Sequence, residues 1–240
     1  MKTWATIVLF CIAISISAQK KVMQHKDKAL WNSIRNVNIS NSGDYILYGL
    51  NKGEKDETLY LKSTKGNQIM SHTRTKGGKF TFDSKFAIFS VNDWKDSITE
   101  LKRKKVKKKD FPKDTLVIFN IGNQQIEKIP NVKSYKIPEK WSGIVAYYLA
   151  EATPKKGKAK KSKNKTKKNK AKKVSNKNGY HLIIRQLESG IQDTLQFVTK
   201  HTISKEGKVI TYSTTGIKGK IKSGVYKYDV NCLVYPLNKL

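Results

Sequence analysis

An all-β fold built from repeats is predicted by three features of this sequence. Short stretches are rich in Ile, Leu, Val, Phe and Tyr, turn residues separate them at regular spacing, and one strand–turn pattern recurs along the chain. The first copy is VNISNSGDYILYGL (Val37 to Leu50), with a turn at Asn41 to Asp44, followed by DETLYLKSTKGNQIMS (Asp56 to Ser71), with a turn through Gly66. Together they read as a small antiparallel meander.

The second copy is GKFTFDSKFAIFSV (Gly78 to Val91) with KDTLVIFNIGNQQIEKIP (Lys113 to Pro130), whose TLVIFNIGNQQI matches TLYLKSTKGNQI of the first. The third is SYKIPEKWSGIVAYYLAE (Ser134 to Glu151) with GYHLIIRQLESGIQDTL (Gly179 to Leu195). The fourth is KHTISKEGKVITYSTT (Lys200 to Thr215) with SGVYKYDVNCLVYPL (Ser223 to Leu237). Aligning Ile39, Phe82, Ile137 and Ile203 gives spacings of 43, 55 and 66 residues. The two longer spacings each contain a lysine run between the second and third strands. Without those runs the unit falls near the roughly 40–50 residues of a propeller blade. The strands YILYGL, FAIFSV, IVAYYL and VITYS are continuously apolar, as strands covered on both faces are. The expected architecture is therefore a partial β-propeller of about four antiparallel four-stranded blades over residues 19–240, in preference to a two-sheet sandwich.

The formal net charge of +31 raises the question of a nucleic-acid partner, because lysines that neutralise phosphates release counterions. The charge is concentrated. Lys155 to Lys177 holds 13 lysines and no acid, and Lys102 to Lys113 holds 8 basic residues and one acid, which leaves 28 basic against 17 acidic residues elsewhere. Both runs lack the apolar content that offsets ordering entropy, so they are expected to be insert loops, at about 102–113 and 155–177, protruding from blades. Surface hairpins tolerate such insertions at low cost. No specific nucleic-acid partner is expected; nonspecific contact with anionic polymers through the loops is.

The N-terminus has the form of an export signal: Lys2, then the apolar WATIVLFCIAISI, then Ser17-Ala18-Gln19 as a small-residue cleavage site. Residues 1–18 are read as signal peptide, which places the mature chain in the periplasm or outside the cell, with no further membrane segment. Cys11 falls in the signal and Cys232 is then alone, so no internal disulfide is expected.

Sites for chemistry are not apparent. His25, His72, His181 and His201 have no metal-ligand spacing and are expected to be surface residues. NKGEKDE (Asn51 to Glu57) and KGNQ (Lys65 to Gln68) do not lead into a helix, as a phosphate loop would, and read as hairpin turns. Tyr45, Tyr48, Tyr60, Tyr147, Tyr148 and Tyr212 are expected between blades rather than on a base-stacking platform. No catalytic, cofactor-binding or metal-ligating residue is assigned, and no cofactor is expected.

Trp31 in KALWNSIRNVNISNSGDYILYGL, the FDSKFAIFSV unit, LKRKKVKKKDFPKDTLVIFNI and VKSYKIPEKWSGIVAYYLAE together resemble the N-terminal propeller of exported bacterial peptidases of the prolyl oligopeptidase family, notably those of the Bacteroidetes. The family pattern D-x-P-K-D-x-L-x-I-x-N-L is matched by Asp110, Pro112, Lys113, Asp114, Leu116, Ile118, Asn120 and Ile121, the last replacing Leu. The resemblance covers about residues 19–240. It implies a serine peptidase whose propeller covers the active site and admits peptides, with a hydrolase domain C-terminal to it carrying Ser, Asp and His. No G-x-S-x-G occurs here, so the chain is expected to be a fragment that ends before the hydrolase domain and is inactive alone. The alternative is a stand-alone exported binding module for extracellular DNA or acidic polysaccharide. If the longer lysine tract is only an insertion, its deletion leaves the thermal unfolding midpoint nearly unchanged, which a melting curve of the full chain against the deletion variant measures.

Overall fold

In the computed structural model the described residues are 23–24, 27, 30–53, 55–141, 143–150, 179–216 and 222–230. The expected signal peptide, both cysteines, His25 and the Lys155–Lys177 tract lie outside them. Four strands, β1 (Asn32–Ile39), β2 (Tyr45–Lys52), β3 (Thr58–Ser63) and β4 (Gln68–Thr73), form one antiparallel sheet in chain order. Nine more form a second: β5 (Thr75–Phe80), β6 (Phe86–Val91), β7 (Asp114–Asn120), β8 (Ile126–Lys136), β9 (Ile144–Leu149), β10 (Tyr180–Gln186), β11 (Gln192–Ile203), β12 (Val209–Thr214) and β13 (Gly224–Asp229).

The nine-stranded sheet is three repeat units joined at corners. β8 pairs with β7 through its first half and with β9 from Val132 onward, and Asn131 between the halves has φ 58. β11 divides the same way between β10 and β12, with Phe197 at φ 55. Arg74, at φ 62, makes the equivalent corner between β4 and β5. At all three, the carbonyl of the left-handed residue accepts a backbone hydrogen bond from the end of the next unit's second strand: Asn92 N–H to Arg74 at 2.8 Å, Ala150 N–H to Asn131 at 2.7 Å and Thr215 N–H to Phe197 at 3.2 Å.

Side chains then alternate between two faces with the strand period of two. On β6 and β7, Ala87, Phe89, Val91, Val117 and Phe119 join Leu47, Leu59 and Leu61 of unit 1, while Phe86, Ile88, Leu116 and Ile118 join Val145, Tyr147 and Ile183 of unit 3. On β9 and β10, Ile144, Ala146, Tyr148, Leu182 and Ile184 join Val198 and Ile210 of unit 4. Each internal sheet is thus apolar on both faces, and consecutive sheets stack like propeller blades. A sandwich would need only one apolar face per strand. Fully buried side chains such as Leu59, Leu116 and Phe89 each contribute on the order of 1.5–3 kcal/mol.

Three expectations change. The turn equivalent to Ser40–Tyr45 and Ser204–Val209 is Thr81–Phe86, because Ser40, Thr81 and Ser204 each donate a backbone hydrogen bond to Tyr45, Phe86 and Val209 respectively. Phe80, not Phe82, is therefore the partner of Ile39 and Ile203, and Ser84 takes the left-handed position that Gly43 and Gly207 hold in the other two turns. The first lysine run is not all loop: Lys102 and Arg103 close a helix, α1 (Lys95–Arg103), and Lys108–Asp110 form a single 3-10 turn. The stretch WKDSITEL ahead of the run supplies the reason. Asp96 lies at the positive end of the helix, Lys102 and Arg103 lie at the negative end, and Glu100 pairs with Lys104 one turn on. The helix buries no residue completely, so it adds nothing to the core. Finally, Tyr48 and Tyr60 stack on each other at 5.6 Å on the outward face of unit 1, not between blades.

Glycine is required where two backbones meet at the last corner. A Cβ on Gly179 (φ 94) would lie 2.5 Å from the carbonyl carbon and oxygen of Phe197. Gly179→Ala is expected to lower unfolding free energy by about 2–4 kcal/mol, whereas Gly66→Ala, which has φ 95 but open space around it, costs only about 1 kcal/mol; chemical denaturation of the two variants compares them.

Candidate functional site

The strand order sends all the longer connections to one end of the stack. Residues 53, 55–57, 92–113, 215–216 and 222–223 lie there, and the chain leaves β9 and re-enters β10 there at Ala150 and Gly179. The opposite end carries the tight turns. A cavity opens at each.

At the tight-turn end, a cavity of about 960 Å³ lies among Ser42, Asp83, Asn120, Glu127, Arg185 and Glu188. Four of its charges join units: Arg185 donates to Glu127 at 2.8 Å and Lys85 donates to Glu188 at 2.8 Å. The Glu188 carboxylate raises the Lys85 pKa through that hydrogen bond, yet both side chains are well exposed, so the pair contributes little to stability.

At the other end, a cavity of about 1210 Å³ lies between units 1 and 2, walled by α1 and by the Arg74 corner. Basic residues (Arg35, Arg74, Lys76, Lys95, Lys102, Lys108, Lys113) outnumber acidic ones (Asp56, Glu57, Asp93, Asp96, Asp114) around it. Three of the acids are engaged by backbone amides: Lys95 N–H donates to Asp56 at 3.3 Å, Gly77 N–H to Glu57 at 3.3 Å and Trp94 N–H to Asp93 at 2.9 Å. Asp114 has its pKa raised by burial, an effect that Lys76 and Lys113 oppose. The Lys95 ammonium donates to the Lys55 carbonyl, which ties α1 to unit 1. Arg74 lies with its guanidinium carbon 4.7 Å from the Trp94 ring centroid. Among the described residues, no serine, cysteine or histidine lines this cavity, and its polar lining is mainly charged side chains with Asn51, Asn92, Thr75 and Thr99. Sequence inspection singled out neither Arg74 nor Trp94. The only available signal was that both flank the second copy, one before β5 and one at the start of the insert.

The histidines separate. His72 Nδ1 lies 2.8 Å from the Thr73 carbonyl, and His181 lies beside Phe197. His201 corrects the expectation of a surface residue: it is 3% exposed, held edge-on against Tyr148 at 4.8 Å between units 3 and 4, and neither ring nitrogen has a hydrogen-bond partner. Its position in the repeat is that of Gly78 and Tyr135, which face the preceding unit. Burial, aided by the nearby Lys136 ammonium, lowers its pKa to about 4. Burial also pushes the Tyr148 hydroxyl up to about 12. Among the described residues, no three His, Cys, Asp or Glu are placed to hold a metal, and no helix is long and apolar enough to cross a membrane.

No family model matches the chain, and no curated protein matches it. Solved structures similar to it include TolB from Acinetobacter baumannii (12% identity, TM-score 0.42, 83% of this chain and 42% of that one). An acylaminoacyl peptidase from Pyrococcus horikoshii is similar at 10% identity and TM-score 0.48, over 86% of this chain and 32% of that one. The β-propeller domain of the Trilobed protease from Pyrococcus furiosus is similar at 14% identity and TM-score 0.42, over 81% and 54%. The chain thus spans from about a third to about half of the length of these structures.

The His201 site has a pH consequence. The folded state keeps the imidazole neutral down to about pH 4, while the unfolded chain takes up a proton below its ordinary value of 6.5. Stability is therefore expected to be complete above about pH 6.5, to fall as pH drops towards 4, and to level off below, by at most about 3 kcal/mol from this group. Urea denaturation across that range should show the fall in the parent chain, and His201→Leu should remove it.

Proposed function

We propose that the chain is the non-catalytic propeller portion of an exported serine peptidase of the prolyl oligopeptidase family, acting in the periplasm or outside the cell. In the whole enzyme it would control which peptides reach the active site. The structural observation that supports this reading is the asymmetry between internal and terminal sheet faces. Every internal face is closed by a neighbouring unit. The outward face of unit 1 leaves Ile34, Val37 and Ile39 between 59% and 66% exposed among the described residues. A sheet face of that composition fits further units stacked on it, as in a longer propeller. The match of Asp110 to Ile121 to the family pattern points to the same protein class.

The second reading, a stand-alone module for anionic polymers, is favoured by one observation. Lys102, Arg103, Lys105, Lys107 and Lys108 gather at the long-connection end without forming ion pairs to described acids. The DNA that follows the codon for Leu240 separates the two. A hydrolase domain there, in any frame, supports the peptidase reading, and a terminator supports the module. The peptidase reading also predicts that the purified chain is not labelled by a fluorophosphonate and does not cleave chromogenic dipeptides, since on that reading the Ser, His and Asp belong to the hydrolase domain. Labelling that disappears when one serine is replaced would overturn it.

A further inference from the structure

We propose that the cavity between units 1 and 2 is a carboxylate-binding subsite, with Arg74 as the receptor and a peptide's free C-terminus as the ligand. An arginine lining a cavity in a folded protein is ordinarily neutralised by a carboxylate, because the guanidinium's planar edge matches it and desolvating the charge alone is costly. Arg74 is not neutralised. It forms no ion pair with a described acid, its Nε is buried without a hydrogen-bond partner, and its guanidinium lies over the Trp94 ring.

None of the five acids around the cavity forms an ion pair with Arg74, and three of them, Asp56, Glu57 and Asp93, each accept from a backbone N–H, which holds their carboxylates in place. The arginine is also pre-positioned at both ends. Its backbone is locked at the corner by the hydrogen bond from Asn92, and its guanidinium is stacked on Trp94 at the start of α1. A side chain immobilised before the ligand arrives loses little entropy on binding. Arg35 and Lys76 line the same cavity and favour an anion over a cation.

The ligand is narrowed by size and charge. A cavity of about 1210 Å³ holds a few residues of chain, far more than a lone inorganic ion needs. The mixed rim, with acids interspersed among bases, suits a ligand carrying one anionic end and amide groups better than a polyanion. The choice of a peptide as the carrier of that carboxylate rests on the peptidase reading; the binding test does not, since it uses this chain alone and would hold for a stand-alone module.

The test is a nuclear magnetic resonance titration of the isotope-labelled full chain, following the Trp94 indole N–H and the Gly77 amide. The probes are acetyl-trialanine with a free carboxylate and the same peptide as its C-terminal amide, at physiological salt to suppress contacts with the lysine tract. Saturable shifts of both signals are expected with the acid, and binding of the amide at least about tenfold weaker. Arg74→Gln should weaken the acid by about the same factor while leaving the rest of the spectrum unchanged. If Arg74→Gln fails to fold, Arg74→Lys, which keeps the charge but not the planar edge, should still weaken the acid by about threefold or more. Equal binding of acid and amide, unchanged affinity in a folded Arg74 variant, or no saturable shift up to about 20 mM would overturn the proposal.

Discussion

The structure depends on one backbone feature repeated at each junction. A residue in the left-handed region turns the chain out of one unit, and its carbonyl is captured by the second strand of the next. Arg74, Asn131 and Phe197 hold φ between 55 and 62, and each is hydrogen-bonded through its carbonyl. None is a glycine, so each bears a cost on the order of 1 kcal/mol, which the captured carbonyl and the closed interface behind it offset. The side chain at the corner is left unconstrained by this geometry, and it is there that the units differ. Asn131 is small and polar, Phe197 packs beside His181, and Arg74 reaches over Trp94 into a cavity.

Stacking follows from the corners. Once consecutive sheets are turned face to face, residues one apart on the same strand serve different cores, as Phe89 and Ile88 do. The continuous apolar runs of β6, β7 and β9 are a direct record of that arrangement, which is why the repeat and its both-face burial are legible in the sequence. So are the strands of the first meander and the turns at Gly66 and Gly43.

What was not legible has physical reasons of its own. The left-handed corners fall on Arg, Asn and Phe, and nothing in those residue types marks them as turning points, so strand ends ran together. Phe82 imitated Phe80 because FTF offers two phenylalanines at the same alternation, and only the hydrogen bond from Thr81 to Phe86 decides between them. Helix α1 was hidden by counting charge from Lys102 onward, when the residues that form the helix precede it. His201 could not be separated from the other histidines, because its burial is a property of the unit 3–4 interface and not of its neighbours in sequence. The cavity at Arg74 combines residues from β1, β2, the corner and the insert, a grouping that only the fold brings about.

The order in which the cores are shared has a consequence for how the chain acquires its structure. Among the described residues, each core joins units that are neighbours in sequence. Contacts are therefore local on the scale of two units, which shortens the loops that must close and favours rapid condensation. A chain emerging from a ribosome completes the first interface once β7 is available, and then adds one sheet at a time to a growing template. Until the next sheet arrives, the newest one presents an apolar face. The pace of emergence relative to that docking step, more than final stability, would govern whether such a chain matures or aggregates.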